Sequence, residues 1–463
     1  MRGINLGDKR LNRRAKETLS RLGKQPSGSI PYGSEEWADT KATYNFFKNE
    51  KVTGEKVLAP HQDRTWERVA THPTVLAVQD TTFLDYTHAP SIEGLGPIGT
   101  RKQKLRGIVM HNTLAVTPAG IPLGEIDQQL WVRPEVKALP KEEQAESKST
   151  KAVRPIEEKE SYKWVESVLR MRNRIPADTQ VVMVGDAESD VYELLVAAEA
   201  CGVDFLIRAA QDRALLEPAT ARIRKTVLLA PVKATMEIKV AAKQNEPARV
   251  AQVSVRYRRV KLQPPSRPNG SNFCPLPLPP ITIYAVSVRE CNPPEGMTPV
   301  DWLLLTNVPV TSAEDALERI EWYCQRWQVE VFHKVLKSGC RIEQRRLGHF
   351  DRLAPCIALF TIIAWRIHWM TWLCRTLPHD PCTHIFADSE WRALYALATR
   401  STQAPNDVPS VKQALLWIAQ LGGFLNRKSD GLPGVTVIWR GWQRFQDAFS
   451  MWLVFHPPDL TYG

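Results

Sequence analysis

Ile320-Glu321-Trp322-Tyr323-Cys324-Gln325-Arg326-Trp327-Gln328-Val329-Glu330-Val331-Phe332-His333-Lys334-Val335-Leu336-Lys337 is the stretch on which the chain's reading turns. Tyr323, Arg326, Glu330 and Lys337 fall within an arc of roughly 60° on a helix turning about 100° per residue. Ile320, Trp327, Val331 and Val335 run beside them as an apolar edge that could dock the helix on a sheet. An aromatic hydroxyl, two cations and one carboxylate on one stripe suit a metal ligand working beside phosphates. An ordinary amphipathic helix with a solvated charged face fits the same pattern. Two aspartates far upstream shift the balance.

Val75-Leu76-Ala77-Val78 predicts a short apolar strand that delivers Gln79-Asp80-Thr81-Thr82 at its end. Ile108 to Val116 and a run through Gln129 and Trp131 predict two more strands, joined by a turn at Pro118-Ala119-Gly120. After a helix over Ser161 to Met171, Val181-Val182-Met183-Val184 predicts a buried strand ending at Gly185-Asp186. The next helix, through Ala200, starts with Glu188-Ser189-Asp190. This order implies an α/β sheet of mixed strand direction. Adjacent strands lie about 4.8 Å apart, so Asp80 and Asp186 converge if their strands are neighbours. Each alone says little, because Asp is common where a strand runs into a turn or cap. Together with Glu330 they suit two divalent metals about 4 Å apart, and hard oxygen ligands favour Mg²⁺ or Mn²⁺ over zinc.

Around this centre the chain divides further. Residues 8 to 23 predict a basic helix with Leu11, Ala15, Leu19 and Leu22 on one face and Lys9, Arg10, Arg13, Arg14, Lys16 and Arg21 elsewhere. Ser34 and Thr53 are candidate caps for two further helices, the second running through Trp66. Such a basic helical segment suits DNA, and a solvated charged face is the alternative. Residues 134 to 160, rich in Lys, Glu and Ser, predict a loop or linker. From Val203 to about Val310 short β runs predominate: Phe205 to Arg208, Thr226 to Val232, Met236 to Ala241, Val250 to Val260, Ile281 to Val288 and Trp302 to Leu305. Pro264 to Pro280 is a proline-rich loop, and Arg256 and Arg258 face away from the valines of their strand. Helical periodicity returns in Leu353 to Cys374, Ser389 to Ala398, Ser410 to Leu425 and Trp439 to Leu453. Arg366 and His368 interrupt the first of these, which reads as a buried or dimer-forming helix rather than a membrane span.

The 463 residues suffice for two or three domains, and 61 Lys and Arg against 50 Asp and Glu favour a polyanionic partner. Eight cysteines without a Cys-x-x-Cys pair argue for reduced thiols in a cytosol, not a disulfide frame or zinc site. Paired carboxylates of a glycosidase would explain neither the cations nor the net charge of +11.

The set Gln79-Asp80-Thr81-Thr82, Asp186 with Glu188 and Asp190, and Tyr323-x-x-Arg326-x-x-x-Glu330-x-x-x-x-x-x-Lys337 resembles the DDE transposases. More narrowly it resembles the cut-and-paste insertion-sequence-four family of the Tn-five type, with its Y-R-E-K signature. Leu6-Gly7-Asp8-Lys9-Arg10, Asn292-Pro293-Pro294 and Trp302-Leu303-Leu304-Leu305-Thr306 extend the likeness over almost the whole chain. The resemblance implies an RNase H-like catalytic domain interrupted by a β-rich insertion, between helical N-terminal and C-terminal domains. The expected division is a DNA-binding domain over 1–68, catalytic segments over 69–202 and 311–375, an insertion over 203–310 and a dimerisation domain over 376–463. Asp80, Asp186 and Glu330 would hold Mg²⁺, with Mn²⁺ as substitute. Tyr323, Arg326 and Lys337 would hold the phosphates beside the scissile bond, with Lys334 and Arg208 near the DNA. Trp302 would stack a flipped base during hairpin formation, a contact worth about 1–3 kcal/mol. The implied partners are the terminal inverted repeats, target DNA and a second copy of the chain, with no membrane, in the bacterial cytoplasm at the nucleoid. Only five residues precede Leu6, so an N-terminally shortened, non-catalytic or inhibitory relative is the alternative; a structure-specific RNase H-like nuclease is another.

Overall fold

The computed structural model describes residues 3–33, 36–135, 154–218, 221–242, 246–266, 277–401 and 403–456. The Ser34 cap, Cys274, most of the 134–160 segment and the middle of the Pro264 to Pro280 loop lie outside the described residues.

Strand signals in the first half pair into one mixed sheet. Its members are β1 (Thr74–Asp85), β2 (Gly96–Ile98), β3 (Leu105–Val116), β4 (Pro122–Trp131), β5 (Gln180–Gly185) and β6 (Asp204–Arg208). β7 (Ala234–Val240), β8 (Arg249–Leu262), β9 (Ile281–Glu290) and β10 (Asp301–Thr306) complete it. The order is β2-β3-β1-β5-β6-β10-β9-β8-β7, with β4 also paired to β3. β1, β5 and β6 are mutually parallel and the other pairings antiparallel. The β-rich insertion is therefore an extension of the central sheet: β6 joins β5 directly, and β10 returns from the insertion to pair with β6.

Both faces of the central strands are covered, which explains their continuous apolar runs. Leu76, Val78, Val182, Val184, Leu206 and Leu304 point into one core. Val75, Ala77, Val181, Met183, Phe205, Ile207, Leu303 and Leu305 point into the other. The second core is closed by α4 (Tyr162–Met171) and α5 (Tyr192–Ala200). The first is closed by α1 (Lys9–Lys24), α2 (Trp37–Lys48), α3 (Gly54–Val69) and the helices that follow β10. Asp8 caps α1 by accepting from the Arg10 and Leu11 amides, and Thr53 caps α3 by accepting from Lys56.

Two expectations fail in this frame. Thr226 to Val232 is not a strand: α6 (Ile223–Leu228) forms instead, because Asp212 accepts the Arg224 amide at 3.0 Å and Ile223 and Val227 are buried. Ile320 to Lys337 is not one helix. α7 (Ala313–Cys324) ends, α8 (Trp327–Lys334) begins, and Val335–Gly339 widens into a π-helical turn. Three-residue bonds from Gln325 to Trp322 and from Arg326 to Tyr323, each 3.0 Å, tighten the joint. The docked face is consequently Val329, Phe332, Val335 and Leu336, while Trp327 is 51% exposed.

α9 (Phe350–Thr376) is long and apolar enough to cross a bilayer, but 72% of its most apolar window is buried among the protein's own elements. α10 (Asp388–Thr399) packs on α11 (Val411–Leu421) and α12 (Val435–Phe455), which pack against α9. The Trp442 indole donates to the Gly23 carbonyl at 2.9 Å, and Arg345 donates to Pro26 at 2.6 Å, which ties the N-terminal helices to the rest. Among the described residues all seven cysteines are free.

Candidate active site

Alternation along the strands places the site. Asp80 follows Leu76 and Val78 on the first-core side of β1, and Asp186 follows Val182 and Val184 on the same side of β5. β1 and β5 are parallel neighbours whose last pair is Val78 with Val184, so each aspartate stands two residues beyond it on its own strand. Arg208 follows Leu206 on β6, and Trp302 precedes Leu304 on β10, again on that side. Asp80 does not end its strand, as the apolar run alone suggested. β1 continues to Asp85 because the antiparallel partner β3 carries the pairing on. Asp186 does stand at a strand end and accepts the Glu188 amide at 2.9 Å through Oδ1. A side chain at Gly185 would collide with the Ser189 hydroxyl, so the turn that aims Asp186 needs a residue without Cβ.

α7 and α8 lie across this face. Tyr323 is buried and meets the half-buried Trp302 edge to face, with ring centroids 5.3 Å apart. Burial raises the Tyr323 phenol above its ordinary pKa, opposed by the nearby Arg326 and Arg208 cations and reinforced by Asp186. Arg326 Nη1 lies 2.7 Å from Glu330 Oε1. Burial works against the Arg326 charge, but Glu330, with Tyr323 and Asp80 nearby, more than offsets it and holds the guanidinium above its usual pKa. The structure thus brings Asp80, Asp186, Arg208, Trp302, Tyr323, Arg326 and Glu330 into one neighbourhood.

Two predicted residues stand differently. Lys337 is turned by the π-helical segment onto the backbone of β1, donating to the Phe83 carbonyl at 2.9 Å with Glu343 3.3 Å away. Lys334 is exposed at the end of α8 with no ion pair among the described residues. The neighbours of Asp186 also separate in role. Glu188 is exposed near Lys163 at 3.7 Å, whereas Asp190 is buried, accepting from the Ala210 and Gln211 amides and from Arg213.

Among the described residues no three His, Cys, Asp or Glu side chains converge closely enough to hold a metal. Like charges on Asp80, Asp186 and Glu330 oppose their convergence, and Glu330 takes Arg326 as its counter-charge. The donor chemistry still fits a hard divalent ion: all three are carboxylates, at the open edge of a core, with a cation already balancing one of them.

Sequence reasoning missed three residues beside the site. His333 on α8 places Nδ1 3.6 Å from Asp80 Oδ2 and Nε2 3.0 Å from Asn112 Oδ1. Asn112 stands directly opposite Asp80 in the β1–β3 register and donates to Glu125 Oε1 at 2.7 Å. Glu125 is fully buried, and burial pushes its carboxyl well above the usual range. The alternation of β3 pointed at Asn112; only the pairing register could attach it to Asp80.

Three families match the chain in succession. Residues 1–52 match the transposase DNA-binding family, 164–362 the transposase DDE domain and 362–450 the transposase Tn5 dimerisation domain. These are the domains of a DDE transposase. The DDE match contains Asp186 and Glu330, and Asp80 lies ahead of it on the strand that pairs with β5. The match supports the RNase H-like fold expected for the sheet. DDE domains use divalent metal ions, in keeping with the carboxylate set. In the DNA-binding segment Arg14 and Arg21 pair with Asp39 and join α1 to α2, while Lys9, Arg10, Arg13 and Lys16 stay exposed for a polyanion.

Proposed function

We propose that the chain is a cut-and-paste transposase of the insertion-sequence-four family that binds terminal inverted repeats as a dimer. It nicks each end, forms a hairpin intermediate and joins the 3′ hydroxyls to target DNA. The observation that carries this reading is the parallel β1–β5 register, which runs up to Val78 and Val184 just ahead of Asp80 and Asp186 on one sheet face, with Arg326 near Asp80 and paired to Glu330.

Asp80, Asp186 and Glu330 would hold Mg²⁺, or Mn²⁺ in its place. Divalent ions bound there supply charge stabilisation for in-line attack on a phosphodiester. The chain's own groups do the rest. An incoming DNA phosphate competes with Glu330 for Arg326, and a phosphate bound to Arg326 leaves the Glu330 carboxylate free to turn toward the aspartates. Tyr323 and Arg208 flank the same space and orient the strand, and Lys334 extends the cationic edge. Trp302, braced by Tyr323, offers the exposed part of its ring to an extruded base. The C-terminal helices bring two copies together on paired ends, in the cytoplasm where the DNA is.

The test is Mg²⁺-dependent cleavage of DNA carrying the inverted repeat that flanks the gene, with wild type beside Glu330→Gln. Wild type is expected to cut and the variant to bind without cutting. Equal cutting by the variant would sink the assignment of Glu330. Cutting of unrelated duplexes as readily as the repeat would favour a general RNase H-like nuclease.

A further inference from the structure

β7, β8 and β9 are covered on one face and open on the other. Met236 and Ile238, Val253 and Val255, and Val286 and Val288 point into the first core, with α7 packed against β7 and β8. Alternation turns Glu237 and Lys239 of β7, Arg256 and Arg258 of β8 and Arg289 of β9 to the opposite side. α6 reaches only the far end of that side, where Val260, Leu262, Ile283 and Ala285 join the second core. The rest lies open. Arg256 and Arg258 stand two residues apart on one strand, about 6.8 Å. Their partners in the register are the small Ser287 and Ala285, which do not crowd the guanidinium groups. Arg256 is steadied by donating from Nη1 to Ser254 Oγ at 3.2 Å. Lys233, whose amide donates to the Val255 carbonyl at 2.9 Å, adds an exposed cation at the start of β7.

Little on this side neutralises the cations. Among the described residues Lys233, Lys239, Arg256 and Arg258 have no ion pair, and Arg289 shares only an exposed one with Asp301 at 3.7 Å. Glu237 and Asp301 are the acids of the same rows. A second copy of this face would bring like charges together. A protein partner would need an apolar anchor, and Val250 is the one exposed apolar side chain on this side of β8. Duplex DNA, a polyanion with one charge per about 1.7 Å of axis, matches a row of exposed cations on a sheet. We propose that the open face of β7, β8 and β9 is a second DNA-binding surface, which holds duplex DNA of any sequence by its phosphates. It lies on the side of the sheet away from Asp80 and Asp186, so the duplex it holds is chromosomal DNA outside the repeat. Phosphates carry no sequence, and this surface serves the search along DNA rather than the recognition of an end. The inference goes beyond the reaction proposed above and needs no metal.

A fluorescently labelled duplex lacking the repeat, titrated with full-length protein at several NaCl concentrations without divalent metal and followed by anisotropy, is the probe. Arg256→Ser combined with Arg258→Ser is expected to weaken binding and to flatten the slope of log affinity against log salt by about 0.9 per cation removed. Arg256→Lys combined with Arg258→Lys keeps both charges and is expected to restore affinity and slope. Cleavage of saturating repeat DNA is expected to run at the wild-type rate in both. An unchanged slope in the serine variant overturns the surface. A loss that the lysine variant shares, with a lowered unfolding temperature in both, marks a structural defect and also overturns it. So does an equal loss on repeat and plain duplex with slowed cutting, which would make the face part of the end-binding path. If the expected slopes appear while wild type never cuts repeat DNA, the surface stands and the transposase reading fails.

Discussion

The two faces of the central sheet carry similar side chains and put them to opposite uses. On the face toward α7 and α8, Asp80, Asp186 and Arg208 emerge from β1, β5 and β6 beside partners that can exchange: Glu330 shares Arg326, and Trp302 leans on Tyr323. On the face toward α4 and α5, Gln79 Oε1 accepts from His111 Nε2 at 3.2 Å, His111 Nδ1 meets the Thr81 hydroxyl at 2.9 Å, and the ring packs on Trp164. Nearby, Asp190 is closed by two amides and Arg213. Residue type does not distinguish a site from a scaffold here. What differs is whether the partners a polar group does have are themselves buried and unable to leave.

The largest consequence separates Asp186 from Asp190, four residues apart. Asp186→Asn removes a ligand charge worth several kcal/mol of transition-state stabilisation, so cleavage of repeat DNA should fall about 10³-fold or more with folding intact. A rate within a factor of a few of wild type, measured in single turnover, would place Asp186 with the scaffold. Arg213→Ala should do the reverse. It leaves Asp190 buried without its cation, and denaturant unfolding should show a loss of about 3–5 kcal/mol. Unchanged stability would mean that Asp190 is satisfied by the Ala210 and Gln211 amides alone.

Trp302→Ala sharpens the contrast within the open face. Nicking should stay normal while hairpin yield drops, in line with about 1–3 kcal/mol of stacking. An unchanged yield would return the ring to the core it partly joins. The effect furthest from the catalytic face concerns a buried histidine. Burial, with Arg68 adding to it, pushes His61 down to about 3. It is therefore neutral in the folded chain at pH values where the unfolded chain begins to protonate near 6.5. Its contribution is full above that pH and is lost as pH falls toward 3, at up to about 1.4 kcal/mol per pH unit. His61→Gln should give a shallower acid limb in a stability–pH profile, and an identical limb would exclude the effect.

Much of this was legible in the sequence. Four-residue apolar runs before Asp80 and Asp186 announced buried strands of a mixed sheet, and the parallel pairing of those two strands explains why they are apolar at every position. The same alternation assigned Asp80, Asp186, Arg208 and Trp302 to one face once the neighbours were known. The Tyr323–Lys337 stripe was less faithful. A uniform helical turn holds only while the hydrogen-bond ladder is uniform, and the joint at Gln325 and Arg326 and the π-helical turn at Val335–Gly339 break it. Lys337 was misplaced for that reason, and Trp327 was read as docked when it faces solvent. His333, Asn112 and Glu125 come from α8, β3 and β4, and their meeting depends on register, which no local pattern encodes.

The central claim is that Asp80, Asp186 and Glu330 form one metal site once Glu330 is released from Arg326. Anomalous scattering from Mn²⁺ in crystals of the protein with inverted-repeat DNA tests it most directly. Manganese shared by the two aspartates and Glu330, with Arg326 turned to a phosphate, is the expected result. Manganese bound elsewhere, or held by the aspartates while Glu330 stays paired with Arg326, would contradict it.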